Sequence, residues 1–157
     1  MNRAIQPAPV RRSVDVKVSQ KRAFEVFTGS IGAWWPRSHH IGETELKSIT
    51  IEPRVGGRWY ETGQDGVDTE WGRVLVWDPY GRLVLAWQVS AAFKYDPDLE
   101  TEVELTFTPV GERETRVDLE HRNLERFGDK AEQVREQVGS PRGWTKVLED
   151  YAGATPD

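Results

Sequence analysis

The chain contains no cysteine. Disulfide frameworks, thiolate nucleophiles and sulfur-ligated metal centres are excluded together. It also lacks any apolar run approaching the roughly 20 residues that a membrane-spanning helix needs, and residues 1–10 hold no sustained apolar segment of the kind found in a secretory leader. A cytoplasmic protein with no membrane span is expected. Basic charge is in short supply as well. There are 21 Lys and Arg against 26 Asp and Glu, a net charge of −5, whereas a nucleic-acid surface needs clustered cations that displace counterions. Of three histidines, His39 and His40 are neighbours. In extended chain such neighbours point apart, which suits a single metal ion poorly. Neither metal nor cofactor is expected. Gly56-Gly57 lacks the following Lys-Ser/Thr of a phosphate-binding loop and leads into a strand. Every candidate serine falls in a turn or cap, so no Ser-His-Asp arrangement can be assembled.

What the chain has in abundance is tryptophan, seven in 157 residues. Side chains this large and rigid must pack a core, line a pocket or mark an interface. The length suits one domain, expected over residues 10–152. Flexible tails are expected at 1–9, which carries Pro7 and Pro9, and at 153–157.

Periodicity predicts the elements. Residues 10–18 alternate through Val14, Val16 and Val18, the pattern of a half-buried strand. Ser19 can cap a short helix whose inward face is Ala23, Phe24 and Phe27 and which breaks at Gly29. A second short helix over 31–35 must stop before Pro36. Six strands separated by turn residues follow, over 47–52, 58–62, 68–77, 82–89, 101–108 and 115–121. A capping-box-like Asp-x-x-Glu opens a weakly apolar helix over 129–138, expected to dock weakly as a movable flank. The clearest helix runs over 140–151, with Trp144, Val147, Leu148 and Tyr151 on one stripe, Ser140 as expected cap and Pro141 at the first helical position. Gly143 in its first turn is a poor helix former, by about 1 kcal/mol relative to Ala. A close approach of sheet or ligand would explain it, and Gly143→Ala would then raise helix propensity. Sequential hairpins imply an antiparallel sheet, and one apolar face needs a covering layer. The fold class is α+β.

The strand 68–77 poses a problem of its own. Trp71, Leu75 and Trp77 share one parity and Val74 and Val76 the other. Either a bulge rotates the strand or both faces are covered. Without a bulge an aromatic strip would remain on the outer face and offer a self-association surface for a homodimer.

This order of elements resembles the START/Bet-v-like (SRPBCC) superfamily. Its finer motifs are similar to the branch related to the C-terminal domain of the activator of heat-shock protein 90 ATPase. The residues that carry the likeness are Glu52-Pro53-Arg54-Val55-Gly56-Gly57-Arg58-Trp59-Tyr60-Glu61, Gly72-Arg73-Val74 running to Trp77-Asp78-Pro79, Arg82-Leu83-Val84 running to Trp87, His121, and Gly143-Trp144. The resemblance implies a helix-grip fold, a curved antiparallel sheet of about seven strands wrapped around a long C-terminal helix, with two short helices after the first strand and a cavity between sheet and helix. The co-chaperone's separate N-terminal domain has no counterpart here, which argues against a chaperone partner.

Strand parity puts Trp59 with Glu61, Leu83 with Leu85 and Trp87, Val103 with Leu105 and Phe107, and Val117 with Leu119 and His121. If these sides face the helix, Trp35, Trp59, Glu61, Leu85, Trp87, Leu105, Phe107, Leu119, His121, Trp144 and Leu148 surround an apolar cavity with Glu61 and His121 as its polar points. The expected function is binding of a small hydrophobic or aromatic molecule. The same residues can instead simply fill the core. Two further readings stand beside this one: an enzyme of cyclase, aromatase or hydrolase type using Glu61 and His121 for acid–base work, and a chaperone-activator-like interaction module. A hydrogen-bonded structural His121 or a solvated Glu61 would weigh against the enzyme.

Overall fold

Alternation and turn chemistry produce strands close to the expected positions. The structure, a computed structural model, describes residues 8–155. Strand β1 (Val10–Val16) leads into helices α1 (Gln20–Gly29) and α2 (Ile31–Trp34). Then come β2 (Leu46–Ile51), β3 (Arg58–Gly63), β4 (Asp68–Asp78), β5 (Arg82–Trp87), β6 (Thr101–Gly111) and β7 (Glu114–Arg122). A 3-10 segment, Leu124–Lys130, precedes α3 (Ala131–Gly139) and α4 (Trp144–Gly153). Ser19 caps α1 by accepting the Arg22 N–H at 3.2 Å, and α2 ends one residue before Pro36's neighbour Trp35. Among the described residues no helix is long and apolar enough to cross a membrane. The tail expected at 1–9 falls almost wholly outside the described residues. The boundary at 152 is passed, since α4 runs to Gly153 and Thr155 is buried with its hydroxyl on the Ala152 carbonyl at 3.0 Å.

All neighbours in the seven-stranded sheet are antiparallel, in the order β1-β7-β6-β5-β4-β3-β2. The strands β2 to β7 are successive hairpins, so β1 and β2 form opposite edges. Helices α1 and α2 carry the chain from one edge to the other across the concave face. The register sets Leu83 beside Leu105 and Leu119, and Leu85 beside Val103 and His121, all of them buried. One face thus became core, as period-2 alternation requires. The opposite face is held in water by ion pairs. Arg122 meets Glu102, Glu104 and Glu120, while Arg82 reaches Glu104 and Arg11 reaches Glu120. Exposed pairs contribute at most about 1 kcal/mol each, so their main effect is to keep that face solvated.

Strand β4 carries two irregularities. Trp71 is an extra residue between Glu70, opposite Tyr60, and Gly72, opposite Trp59. Leu75 is extra between Val74, opposite Leu85, and Val76, opposite Val84. These bulges rotate the strand so that Trp71 and Val74 are buried and Trp77 reaches Phe24, ring centroids 5.1 Å apart. The outer aromatic strip expected of a bulge-free strand is therefore not formed, and with it goes the basis for a self-association surface there. Gly72 permits the arrangement, because a Cβ at that position would lie 1.7 Å from the Ala86 carbonyl oxygen.

The C-terminal helical arm is long but bent. Helix α3 begins at Ala131, so Asp129 is not its cap. Its buried Ala131 and Val134 give it an apolar face, and Arg12 of β1 donates to the Gly139 carbonyl at 2.6 Å. Ser140 and Pro141 do not open the last helix. Ser140 closes α3 instead, its hydroxyl donating to the Gln137 carbonyl at 2.8 Å, and α4 starts at Trp144 after Gly143. Trp144, Val147, Leu148 and Tyr151 are all buried on the expected stripe, while the helix begins three residues after the expected Pro141. Gly143 has φ −87° and ψ −128°, outside the helical region. The close approach that excludes a side chain there comes from neither sheet nor ligand. It comes from the end of α3, since a Cβ would lie 2.1 Å from the Val138 carbonyl oxygen.

Gly143→Ala gains no helix propensity under these conditions and is expected to destabilise by roughly 1–3 kcal/mol, the usual range for overpacking. Gly72→Ala meets sheet backbone at shorter distance and should be the more damaging of the two. Urea denaturation of both variants beside the parent checks the sign and the order; a stabilised Gly143→Ala would contradict the collision with α3.

Candidate functional site

Aromatic side chains of α1 and α4 fill the middle of the concave face. Phe24 and Phe27 pack on Phe107 with centroids 5.2 and 6.1 Å away, and Phe27 meets Tyr151 at 5.2 Å. Tyr151 also donates its hydroxyl to the Ala23 carbonyl at 2.7 Å, and burial raises its phenol above the ordinary value. This region is closed core. A cavity of about 280 Å³ opens instead at one end, where the 35–41 loop, the ends of β4 and β5, the 89–93 loop and the α3–α4 elbow converge.

Four indoles form its wall in a closed circuit. Trp35 meets Trp71 at 5.2 Å, Trp71 meets Trp87 at 6.3 Å, Trp87 meets Trp144 at 5.5 Å, and Trp144 returns to Trp35 at 6.1 Å. Val89, Val134 and Val147 add apolar surface, and Ser38, His39, His40, Gln137 and Arg142 add polar groups. Phe93, 57% exposed and with φ +60°, stands at the lip on a turn closed by the Phe93 N–H on the Ser90 carbonyl at 2.9 Å.

Trp35, Trp87 and Trp144 are the expected site residues that line this cavity. Leu85, Leu105, Phe107, Leu119 and Leu148 lie in the closed core, and Trp59 packs behind Trp71 and Trp87 at 5.4 and 5.6 Å. The Trp59 indole N–H is buried without a partner among the described residues. Glu61 and His121, the expected polar points, are fully buried and do not line the cavity. Each holds one wall indole from behind.

Glu61 accepts the Trp71 indole N–H at 2.8 Å and the backbone N–H groups of Ile41 and Gly42 at 2.6 and 3.1 Å. Three donors converge on one buried carboxyl group, which offsets its desolvation and ties the loop bearing His39 and His40 to β3. Gly42 fits this clamp because a Cβ would sit 2.9 Å from a Glu61 carboxyl oxygen. His121 Nδ1 accepts the Trp144 indole N–H at 3.1 Å. Its Nε2–H therefore faces Thr101 Oγ1 at 2.9 Å, and that hydroxyl donates to the Trp87 carbonyl at 3.0 Å. Glu61 and His121 thus bond to separate partners and not to one another, which removes the acid–base pair.

His39, His40, Trp71 and Arg142 were not foreseen as lining residues. The Trp71 position depended on a bulge, and the histidines on a loop fold that no periodicity encodes. His39 Nε2–H donates to the Arg142 carbonyl at 2.6 Å while Ser38 donates to its Nδ1 at 2.9 Å, so the loop is stitched to the α3–α4 elbow. Among the described residues no three His, Asp or Glu side chains gather in a way that could hold a metal ion.

Burial lowers the His121 imidazole from 6.5 to about 3. Between those values the unfolded chain binds a proton that the folded chain refuses, so stability from this group is complete above 6.5 and is lost as pH falls through the window. The slope from one such group is at most about 1.4 kcal/mol per pH unit. Urea midpoints across the acidic range should show it in the parent, and His121→Gln should lose that component. Equal pH slopes would contradict the buried neutral imidazole.

The family model described as Activator of Hsp90 ATPase homolog 1-like protein matches residues 17–152. Txn09, an anthrahydroquino-gamma-pyrone synthase solved as a complex with SUM, is 38% identical over 94% of this chain and 97% of its own, with a TM-score of 0.67. CalC, a self-sacrificing resistance protein from Micromonospora echinospora, is 31% identical over 94% of both chains, with a TM-score of 0.68. Aha1 from Colwellia psychrerythraea, solved as a dimer, shares the fold at 14% identity, 95% and 96% coverage and a TM-score of 0.62. No curated protein matches the chain significantly. With a model match over most of its length and two relatives above 30% identity, the chain belongs to the Activator of Hsp90 ATPase homolog 1-like family, in the SRPBCC superfamily.

Proposed function

We propose that this protein binds one small planar aromatic molecule in the cup formed by Trp35, Trp71, Trp87 and Trp144. The circuit of four indoles carries the reading. Indole faces and edges offer offset-stacked and edge-to-face partners to an aromatic ring, and the surrounding valines exclude water. A volume of about 280 Å³ lies just below the roughly 300–1,000 Å³ usual for small-molecule sites, which favours a bicyclic or compact tricyclic ligand. Polar groups confined to the lip would orient a ligand carrying hydroxyl or carbonyl oxygens at one edge. The 38% identical relative Txn09 is named for a fused hydroquinone-pyrone product, which is aromatic chemistry of this kind. A chaperone-activator role draws only on the description of the matching family, and self-association only on likeness of fold to the Aha1 dimer; no described surface feature adds to either.

Titration with 2-naphthol and with 1,8-dihydroxyanthraquinone tests the proposal. Saturable quenching of tryptophan fluorescence and a calorimetric stoichiometry of one are expected. Trp87→Leu, a substitution at a half-buried wall position, should weaken binding about tenfold, the scale of a lost aromatic contact worth up to ~1.5 kcal/mol. Linear, non-saturating quenching by both compounds would overturn the assignment.

A further inference from the structure

Phe93 lines the cavity at its mouth and is 57% exposed. A lone exposed phenylalanine is ordinary on a protein surface. This one is also held at φ +60°, a backbone region unfavourable for bulky side chains and readily adopted by glycine or asparagine. The loop enforces that conformation. The Phe93 N–H donates to the Ser90 carbonyl at 2.9 Å, the Ser90 N–H to the Lys94 carbonyl at 2.8 Å, and the Lys94 N–H to the Ser90 hydroxyl at 3.3 Å. At the base of the turn Val89 bridges Tyr95, and the Gln88 N–H donates to the carbonyl of the wall residue Trp71 at 2.8 Å. Backbone strain kept in place by surrounding bonds concentrates at functional positions. The four indoles of the wall pair with one another, whereas Phe93 pairs with no aromatic ring among the described residues.

We propose that Phe93 is a specificity-determining residue whose ring packs on a second aryl ring of the ligand at the cavity mouth. The ligand class is then an elongated aromatic molecule, with a fused ring system inside the cup and a further ring outside it. This deepens the binding reading and rests on it. A cavity of about 280 Å³ suits a bicyclic or compact tricyclic system, so a longer ligand emerges at the lip where Phe93 stands. Offset-stacked or edge-to-face contact there takes both the projecting ring and the exposed phenylalanine out of water. The bonded turn holds the Phe93 backbone in one conformation before any ligand arrives, so little ordering of the loop remains for binding to accomplish.

The probes are 2-acetylnaphthalene and 2-benzoylnaphthalene, two ketones that differ only in carrying a methyl or a phenyl group beyond the carbonyl. Affinities are read by tryptophan quenching with the full chain. The parent should bind the phenyl ketone about tenfold more tightly, the scale of one aromatic contact. Phe93→Asn suits the positive φ and removes the ring. It should cut that preference to within about twofold, with 2-acetylnaphthalene bound as in the parent and a urea midpoint no lower. Phe93→Tyr keeps the ring and should keep the preference. Equal affinities of the parent for the two ketones, or a preference that survives in Phe93→Asn, overturns the role of Phe93; binding of 2-acetylnaphthalene then leaves the aromatic cup standing. A Phe93→Asn variant that loses stability together with affinity for both ketones makes Phe93 a structural residue and overturns the proposal as well. Failure of both ketones and of 2-naphthol to bind the parent removes the cup itself.

Discussion

The contact on which the site depends is the hydrogen bond from the Trp144 indole N–H to His121 Nδ1. His121 is at the middle of the sheet's β1–β7–β6 corner, between Val10 and Val103, and is fully buried. Burial keeps its ring neutral, so Nδ1 is an acceptor that must find a donor or remain unsatisfied at about 1–3 kcal/mol. The first residue of α4 supplies that donor. The bond therefore fixes where the last helix begins against the sheet, and Trp144 becomes cavity wall because His121 pulls its polar edge inward.

A matching arrangement operates on the other side of the cup. Glu61 takes the Trp71 indole N–H and two backbone amides of the 38–42 loop. Two buried polar residues that resemble an acid–base pair on paper are two separate anchors in space. They act through the indoles and the loop they hold. The polar side chains that line the cavity, Ser38, His39, His40, Gln137 and Arg142, come from segments far apart in the chain.

The cavity occupies one end of the grip because the rest has been filled. Phe24 and Phe27 from α1 and Tyr151 from α4 project into the central concavity and interlock with Phe107. Interiors pack to high density whenever the side chains can reach. At the far end α2 is only four residues long and α3 turns sharply into α4. The four indoles there enclose a cavity of about 280 Å³ without filling it.

Local chemistry along the chain was enough for the element order, the α+β class, the inward parity of β3, β5, β6 and β7 and the stripe of α4, because hydrophobic period and turn residues act over a few neighbours. It was not enough for β4, where the two bulges depend on partners in β3 and β5. Nor did it reach the start of α4, where Ser140 and Pro141 have good capping chemistry but the contact between Gly143 and the end of α3 places the helix three residues later. The cavity was legible as a kind, aromatic and beneath the last helix, through Trp35, Trp87 and Trp144. Its position, the inclusion of His39, His40, Trp71 and Arg142, and the withdrawal of Glu61 and His121 into the core were decided only by tertiary packing. Which atoms meet there depends on contacts between distant segments, such as that of His39 with Arg142, 103 residues apart, and no local pattern records a contact of that range.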